Sequence, residues 1–207
     1  MATEVEAKEG RREERKAQNR AKLLAAARKV FAEKGFGEAS ARDIVRETDL
    51  ATGTFYNYFR DKEEVFRALL EEFEQRVTAA VNRSRHDPDL TLPQRIEEGA
   101  RAFYEVVAED AELFSVLRRN AGAMAILPTE SMFADGMAEF AEDIETWGLP
   151  GVDLDYLSAT IAGAAFQVAN RMVERDPPDP EEAARFMTRS LIGIIQSLVT
   201  EPPDADR

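Results

Sequence analysis

Residues 40–59 read SARDIVRETDLATGTFYNYF, and the fold follows from how this stretch is divided. Ser40 is a preferred helix-capping residue, and the helix behind it would bury Ile44 and Val45. Asp49-Leu50-Ala51 interrupts the pattern. A second helix is expected from Thr52 to Phe59. Within it Phe55 and Phe59 lie four apart, so they share a face that can pack beneath Ile44 and Phe31. Thr52, Tyr56 and Lys62 are then expected to point outward. Two short helices meeting at a tight break, with hydroxyls, an amide and two tyrosines on the second, have the layout of a helix-turn-helix unit.

The flanks are helical too. Upstream, Leu23, Leu24, Ala27, Val30 and Phe31 recur on one face of a helix expected over residues 13–34. Gly35 stands just past its end, where a backbone that only glycine adopts easily is common. Downstream, Asp61 can cap a long helix over residues 62–83, with Glu63 and Glu64 in its first turn. His86-Asp87-Pro88-Asp89 is a breaker cluster. Further helices are expected at 93–109, 110–121, 130–147, 153–175 and 180–200, separated by Pro93, Pro128, Gly148-Leu149-Pro150-Gly151 and Asp176-Pro177-Pro178. Strand-like alternation is absent. The fold class is all-α. Two domains are expected, a helix-turn-helix domain at 13–61 and a helical domain at 62–201.

Composition narrows the function classes. The chain has 207 residues, 44% of them apolar, enough for a sizeable core, and no cysteine, which excludes disulfides and thiolate metal sites. The first twenty residues lack the apolar core of a signal peptide. The longest uncharged run, residues 156–170, is 15 residues, too short to span a bilayer. A cytoplasmic protein with no membrane contact is expected. The lone histidine, His86, lies in a polar linker. Neither His-Glu-x-x-His nor a phosphate-binding glycine loop occurs, and the carboxylates lack the Glu-x-x-His repeats of a di-metal bundle. No catalytic residue, metal site or cofactor is expected, and the chain does not read as an enzyme.

Charge is divided unevenly. The net charge is −13, but residues 1–62 carry +3 and residues 63–207 carry −16. Residues 8–29 alone hold nine basic and three acidic side chains. A basic end can hold phosphates while an acidic body is repelled by them. That division orients an approach to nucleic acid. The blander alternative is a set of solvated charged faces. Residues 11–16, RREERK, could form an arm reaching phosphates or a minor groove, or could be a solvated helix start.

On these residues the chain resembles the tetracycline-repressor (TetR) family of transcriptional regulators. The likeness covers residues 23–69 and rests on Phe31, Gly35-Phe36, Ile44, Gly53, Phe55, Tyr56, Tyr58-Phe59 and Lys62-Glu63. It implies base-facing roles for Arg42, Thr52 and Gly53 and backbone-holding roles for Thr54, Tyr56, Tyr58 and Lys62, with Asn57 serving either. For Tyr56 and Tyr58 the alternative is packing of the small domain. For Arg42 it is a surface ion pair with Asp43 or Glu47. The chain departs from the family where Thr48-Asp49-Leu50-Ala51 replaces the frequent Ala-Gly-Val-Ser. Asp49 is then expected to take a strained backbone conformation, and Asp49 or Thr52 to cap the second helix.

The resemblance further implies a homodimer on a palindromic operator, most often a repressor, released by a small hydrophobic ligand that shifts the long helix at 62–83. The residues point to the same pairing through the last two helices. Leu157, Ile161, Ala164, Ala165, Val168 and Met172 form one stripe. Phe186, Leu191, Ile194, Ile195 and Leu198 make the final helix apolar on nearly all sides. Candidate ligand contacts are Phe103, Phe114, Leu117, Met124, Phe133, Met137, Phe140 and Phe166, joined by Tyr104, Met132 and Trp147. Gln167 and Asn170 are placed to orient a ligand. Such a stripe also suits an ordinary core. A ligand-independent regulator, a helical protein-binding adaptor and an all-helical hydrolase are the competing classes. Salt-dependent binding to double-stranded DNA separates a regulator of either kind from the adaptor and the hydrolase.

Overall fold

The computed structural model describes residues 2–85, 87–121 and 152–200. Every regular element among them is a helix: α1 (Ala2–Glu38), α2 (Ala41–Arg46), α3 (Thr52–Phe55), α4 (Lys62–Arg85), α5 (Leu92–Glu109), α6 (Ala111–Ala121), α7 (Leu154–Val173) and α8 (Pro180–Thr200). The all-α expectation holds. Among the described residues no helix is long and apolar enough to cross a membrane, and no cluster of metal-ligating side chains forms. The helix expected at 130–147, with Met124, Met132, Phe133, Met137, Phe140 and Trp147, lies outside the described residues, as do His86 and the tail after residue 200.

The chain divides into two compact units, Met1–Glu72 with Val116–Asn120, and Phe73–Ser115 with Ala121–Arg207. In the first, Leu23, Leu24, Ala27, Val30 and Phe31 are all buried, as their spacing on one helical face requires. Phe31 meets Phe36 and Phe66 with ring centroids 5.4 and 6.0 Å apart, and Phe55 meets Phe59 at 5.9 Å. Gly35 breaks α1 with φ 76 and ψ 157, a region closed to residues with a Cβ. The helix begins at Ala2 rather than near residue 13. Glu, Lys, Arg and Ala, all good helix formers, dominate that stretch and favour helix by intrinsic propensity.

In the second unit α5 packs chiefly along α8 and also meets α7. Thr91 and Gln94 cap α5 reciprocally, and Asp153 caps α7. Tyr104 is fully buried and its hydroxyl donates to the Ala165 carbonyl at 3.2 Å. Burial pushes its phenol well above the usual range.

Candidate nucleic-acid interface

The turn-and-helix unit is assembled from local caps. The Ser40 side chain accepts from the Asp43 amide at 3.2 Å, and Asp43 accepts from the Ser40 amide at 3.1 Å. This reciprocal box starts α2 and buries Ile44 and Val45. The break beyond α2 is closed by Thr48, not by Asp49. The Thr48 hydroxyl donates to the Val45 carbonyl at 2.8 Å and accepts from the Leu50 amide at 3.1 Å. No non-glycine residue among those described has a positive φ, so the strained backbone expected at Asp49 does not occur. A hydroxyl turn does the work of a left-handed residue.

The second helix is shorter than expected. α3 covers Thr52–Phe55, and Ala51 at its start makes no side-chain cap bond. Neither Asp49 nor Thr52 supplies one. The chain continues as a turn, with the Tyr58 and Phe59 amides both donating to the Phe55 carbonyl at 2.9 and 3.0 Å. Gly53 near the helix start and the missing cap weaken the first turn, and three-residue bonds tighten the last.

Arg42, Thr52, Gly53, Tyr56 and Asn57 are all exposed on this unit, whereas Thr54, Tyr58 and Lys62 are half-buried. A Cβ added at Gly53 would meet nothing within 4 Å, so nothing among the described residues requires glycine there. Tyr56 is 60% exposed, although its ring edge touches Phe55 at 5.3 Å. The Tyr58 hydroxyl accepts from the Asn19 amide nitrogen at 3.3 Å.

Lys62 does not point outward as expected. Its ammonium donates to the carbonyls of Phe36, Gly37 and Ala39 at 2.8, 3.1 and 3.0 Å. It also sits 4.6 Å from the Phe36 ring centroid. All three ammonium protons are therefore engaged on carbonyls that the interruption of α1 leaves without helical partners. Nearby, Asp61 caps α4 by accepting from the Glu64 amide at 2.8 Å.

Three acidic side chains lie on this unit, and each is matched by a lysine of α1. Lys22 bonds both carboxylate oxygens of Asp49 at 2.9 Å, Lys29 meets Glu47 at 2.5 Å and Lys34 meets Asp43 at 2.7 Å. Bonds from Lys34 and Ser40 hold the Asp43 carboxyl down at about 2. Lys22 lowers Asp49, and Glu47 raises Lys29. Both carboxylates that could have neutralised Arg42 are thus engaged by lysines. Arg42 itself has no ion pair among the described residues. Asn19, Lys22, Lys29 and Lys34 escape a reading confined to the motif. Their one signal in the sequence is the basic excess of α1.

Of the candidate ligand contacts, Phe114 and Phe166 are brought together at 5.5 Å, and Phe73 joins Phe114 from another side at 6.0 Å. Phe103 instead lies against Tyr104 at 5.0 Å. Leu117 is buried. Asn170 is buried and its amide nitrogen reaches Gln167 at 3.4 Å, while its carbonyl oxygen has no partner among the described residues.

Against known proteins, residues 23–69 match "Bacterial regulatory proteins, tetR family". The chain is 29% identical over 123 residues to the transcriptional regulator HbdR of Aromatoleum sp. (strain CIB), covering 57% of this chain and 48% of HbdR. It is 34% identical over 71 residues to the transcriptional repressor Rv1474c of Mycobacterium tuberculosis, covering 34% of this chain and 38% of the repressor. The matched segment therefore spans less than half of either relative. In solved structures, the fold is shared with a TetR-like transcriptional regulator from Rhodococcus sp. RHA1 (24% identity, TM-score 0.69, 87% of this chain and 96% of that one). It is also shared with the fatty acid degradation regulator FadR of Bacillus halodurans (20%, TM-score 0.72, 83% and 93%). Likeness at these identities establishes the architecture.

Proposed function

Because residues 23–69 make this chain a member of the tetR family of bacterial regulatory proteins, we propose that it is a DNA-binding transcriptional regulator acting in the cytoplasm. The observation that carries the reading is the exposed face of α2 and α3. Arg42, Thr52, Gly53, Tyr56 and Asn57 are open to solvent, and the acidic side chains beside them are neutralised by Lys22, Lys29 and Lys34. A face cleared of repulsive charge and rich in hydroxyl, amide and guanidinium groups suits a duplex groove. Arg42, Thr52 and Gly53 take the base edges. Thr54, Tyr56, Asn57 and Tyr58 hold the backbone, and Lys62 positions the unit from inside.

The regulator acts as a homodimer joined through α7 and α8, and as a repressor that a small hydrophobic ligand releases. Support for pairing comes from large apolar side chains left open on these helices: Tyr156 at 75% and Phe186 at 61% exposure. Two recognition helices held about 34 Å apart would read two half-sites on one DNA face. Support for a ligand is the apolar cluster of Phe114 and Phe166 and the carbonyl oxygen of buried Asn170, which has no partner among the described residues. Release requires only that ligand favours one spacing of the recognition helices over the other.

The direct test uses the DNA upstream of the protein's own gene as a labelled duplex. Arg42→Ala and Tyr56→Ala are expected to weaken binding about tenfold or more each while leaving thermal unfolding within about 0.5 kcal/mol of the parent. Variants that bind like the parent would remove this face from the interface.

A further inference from the structure

The first turns of α1 carry a second feature that the helix-turn-helix unit does not absorb. α1 is helical from Ala2, so residues 11–16 belong to that helix and are not a free arm. Arg12, Arg15, Asn19 and Lys22 follow one another at spacings of three, four and three residues. On an α-helix that spacing places them in a single stripe. The lower end of the stripe is fixed in space. Asn19 donates to the Tyr58 hydroxyl at 3.3 Å and Lys22 to Asp49 at 2.9 Å. The stripe therefore faces the side of the unit where the recognition turn lies.

At about 1.5 Å per residue, Arg15 and Arg12 stand about 6 and 10 Å further along the axis than Asn19, which is two to three base-pair steps of duplex. Both are exposed. Glu13 and Glu14 fall off the stripe, on other faces, so the acidic residues of this segment do not cancel it. Guanidinium groups suit phosphate by paired hydrogen bonds.

We propose that Arg12 and Arg15 extend the DNA interface along α1, gripping the phosphates of duplex that flanks the half-site read by α3. The inference rests on the regulator reading above. It adds that part of the affinity comes from DNA outside the recognised half-sites, with no base readout there.

The test compares the parent, Arg12→Gln/Arg15→Gln and Arg12→Lys/Arg15→Lys. Each is titrated against a duplex of about 40 base pairs from upstream of the protein's own gene, over a range of salt. The glutamine variant is expected to bind about tenfold or more weakly per protomer, with the slope of log affinity against log salt reduced by about 2, and the lysine variant to restore most of the slope. On a duplex trimmed to the footprint of the half-sites, parent and glutamine variant should converge. Equal affinities and slopes on the long duplex, with the parent binding well, would overturn this inference alone. A difference that persists undiminished on the trimmed duplex would overturn it too, because the contacts would then lie within the half-sites. Failure of the parent to bind either duplex would overturn the regulator reading and this inference with it.

Discussion

Lys62→Met separates two roles for one side chain. If the lysine is a phosphate ligand, its loss should weaken DNA binding, lower the salt slope by about 1 and leave the fold intact. In the structure the ammonium instead bonds three carbonyls at 2.8–3.1 Å. Those carbonyls follow Gly35, where α1 is interrupted, and have no helical partners. A hydrogen bond to a charged group contributes about 1.5–3 kcal/mol in net terms. Three bonds sharing one half-buried ammonium do not add, and solvent replaces part of what is lost. The ring of Phe36 contributes about 0.5–1 kcal/mol more. Methionine keeps most of the stem volume, so cavity terms stay small. The expected loss is about 1–3 kcal/mol, read as a lower urea midpoint with unchanged slope. DNA affinity, measured where both proteins are folded, should keep its salt slope. An unchanged midpoint together with a salt slope reduced by about 1 would refute the internal clamp and return Lys62 to the phosphates.

Three further substitutions bear on the same unit. Gly35→Ala forces a Cβ onto φ 76, ψ 157 and should cost about 1–3 kcal/mol; a neutral result in thermal unfolding would mean that the break in α1 relaxes freely. Asp43 has its carboxyl held down at about 2 by Lys34 and Ser40, so its stabilising contribution is present above the unfolded value near pH 4 and lost as pH falls toward 2. Asp43→Asn should flatten that part of the stability–pH curve, and an unaltered curve would contradict the pairing. Gly53→Ala should leave stability equal or raise it by about 0.5–1 kcal/mol, because the site has room and helix propensity improves. It should weaken duplex binding about fivefold or more if backbone must approach DNA there; undiminished binding would show that Gly53 stands clear of the groove.

Local signals were legible and distant ones were not. The Ser40 cap and the Asp61 cap each depend on neighbours within four residues, and the structure places both where the sequence led one to expect them; Gly35 takes a positive φ as expected, though it interrupts α1 three residues before its end. The apolar spacing of α1 likewise predicted which residues are buried. By contrast, Lys62 turns toward carbonyls 23–26 residues upstream, and nothing in its own neighbourhood announces that. Lys22 and Lys29 reach Asp49 and Glu47 across 27 and 18 residues. These pairings also explain how acidic side chains can lie beside the face proposed to meet DNA. The turn differs from expectation for another physical reason. The missing glycine drew attention to Asp49, while the hydroxyl of Thr48 closes the same turn through two hydrogen bonds. The early start of α1 has no signal in the sequence, because a charged stretch has no apolar period to mark it.

The affinity of the intact protein for duplex DNA from upstream of its own gene, measured across a range of salt, bears most directly on the claim that the face of α2 and α3 grips a double helix. Tight binding at low salt that falls steeply as salt rises, lost when Arg42 and Tyr56 are both replaced by alanine, is the predicted result. Absence of binding at low ionic strength, or binding indifferent to those two side chains, would contradict it.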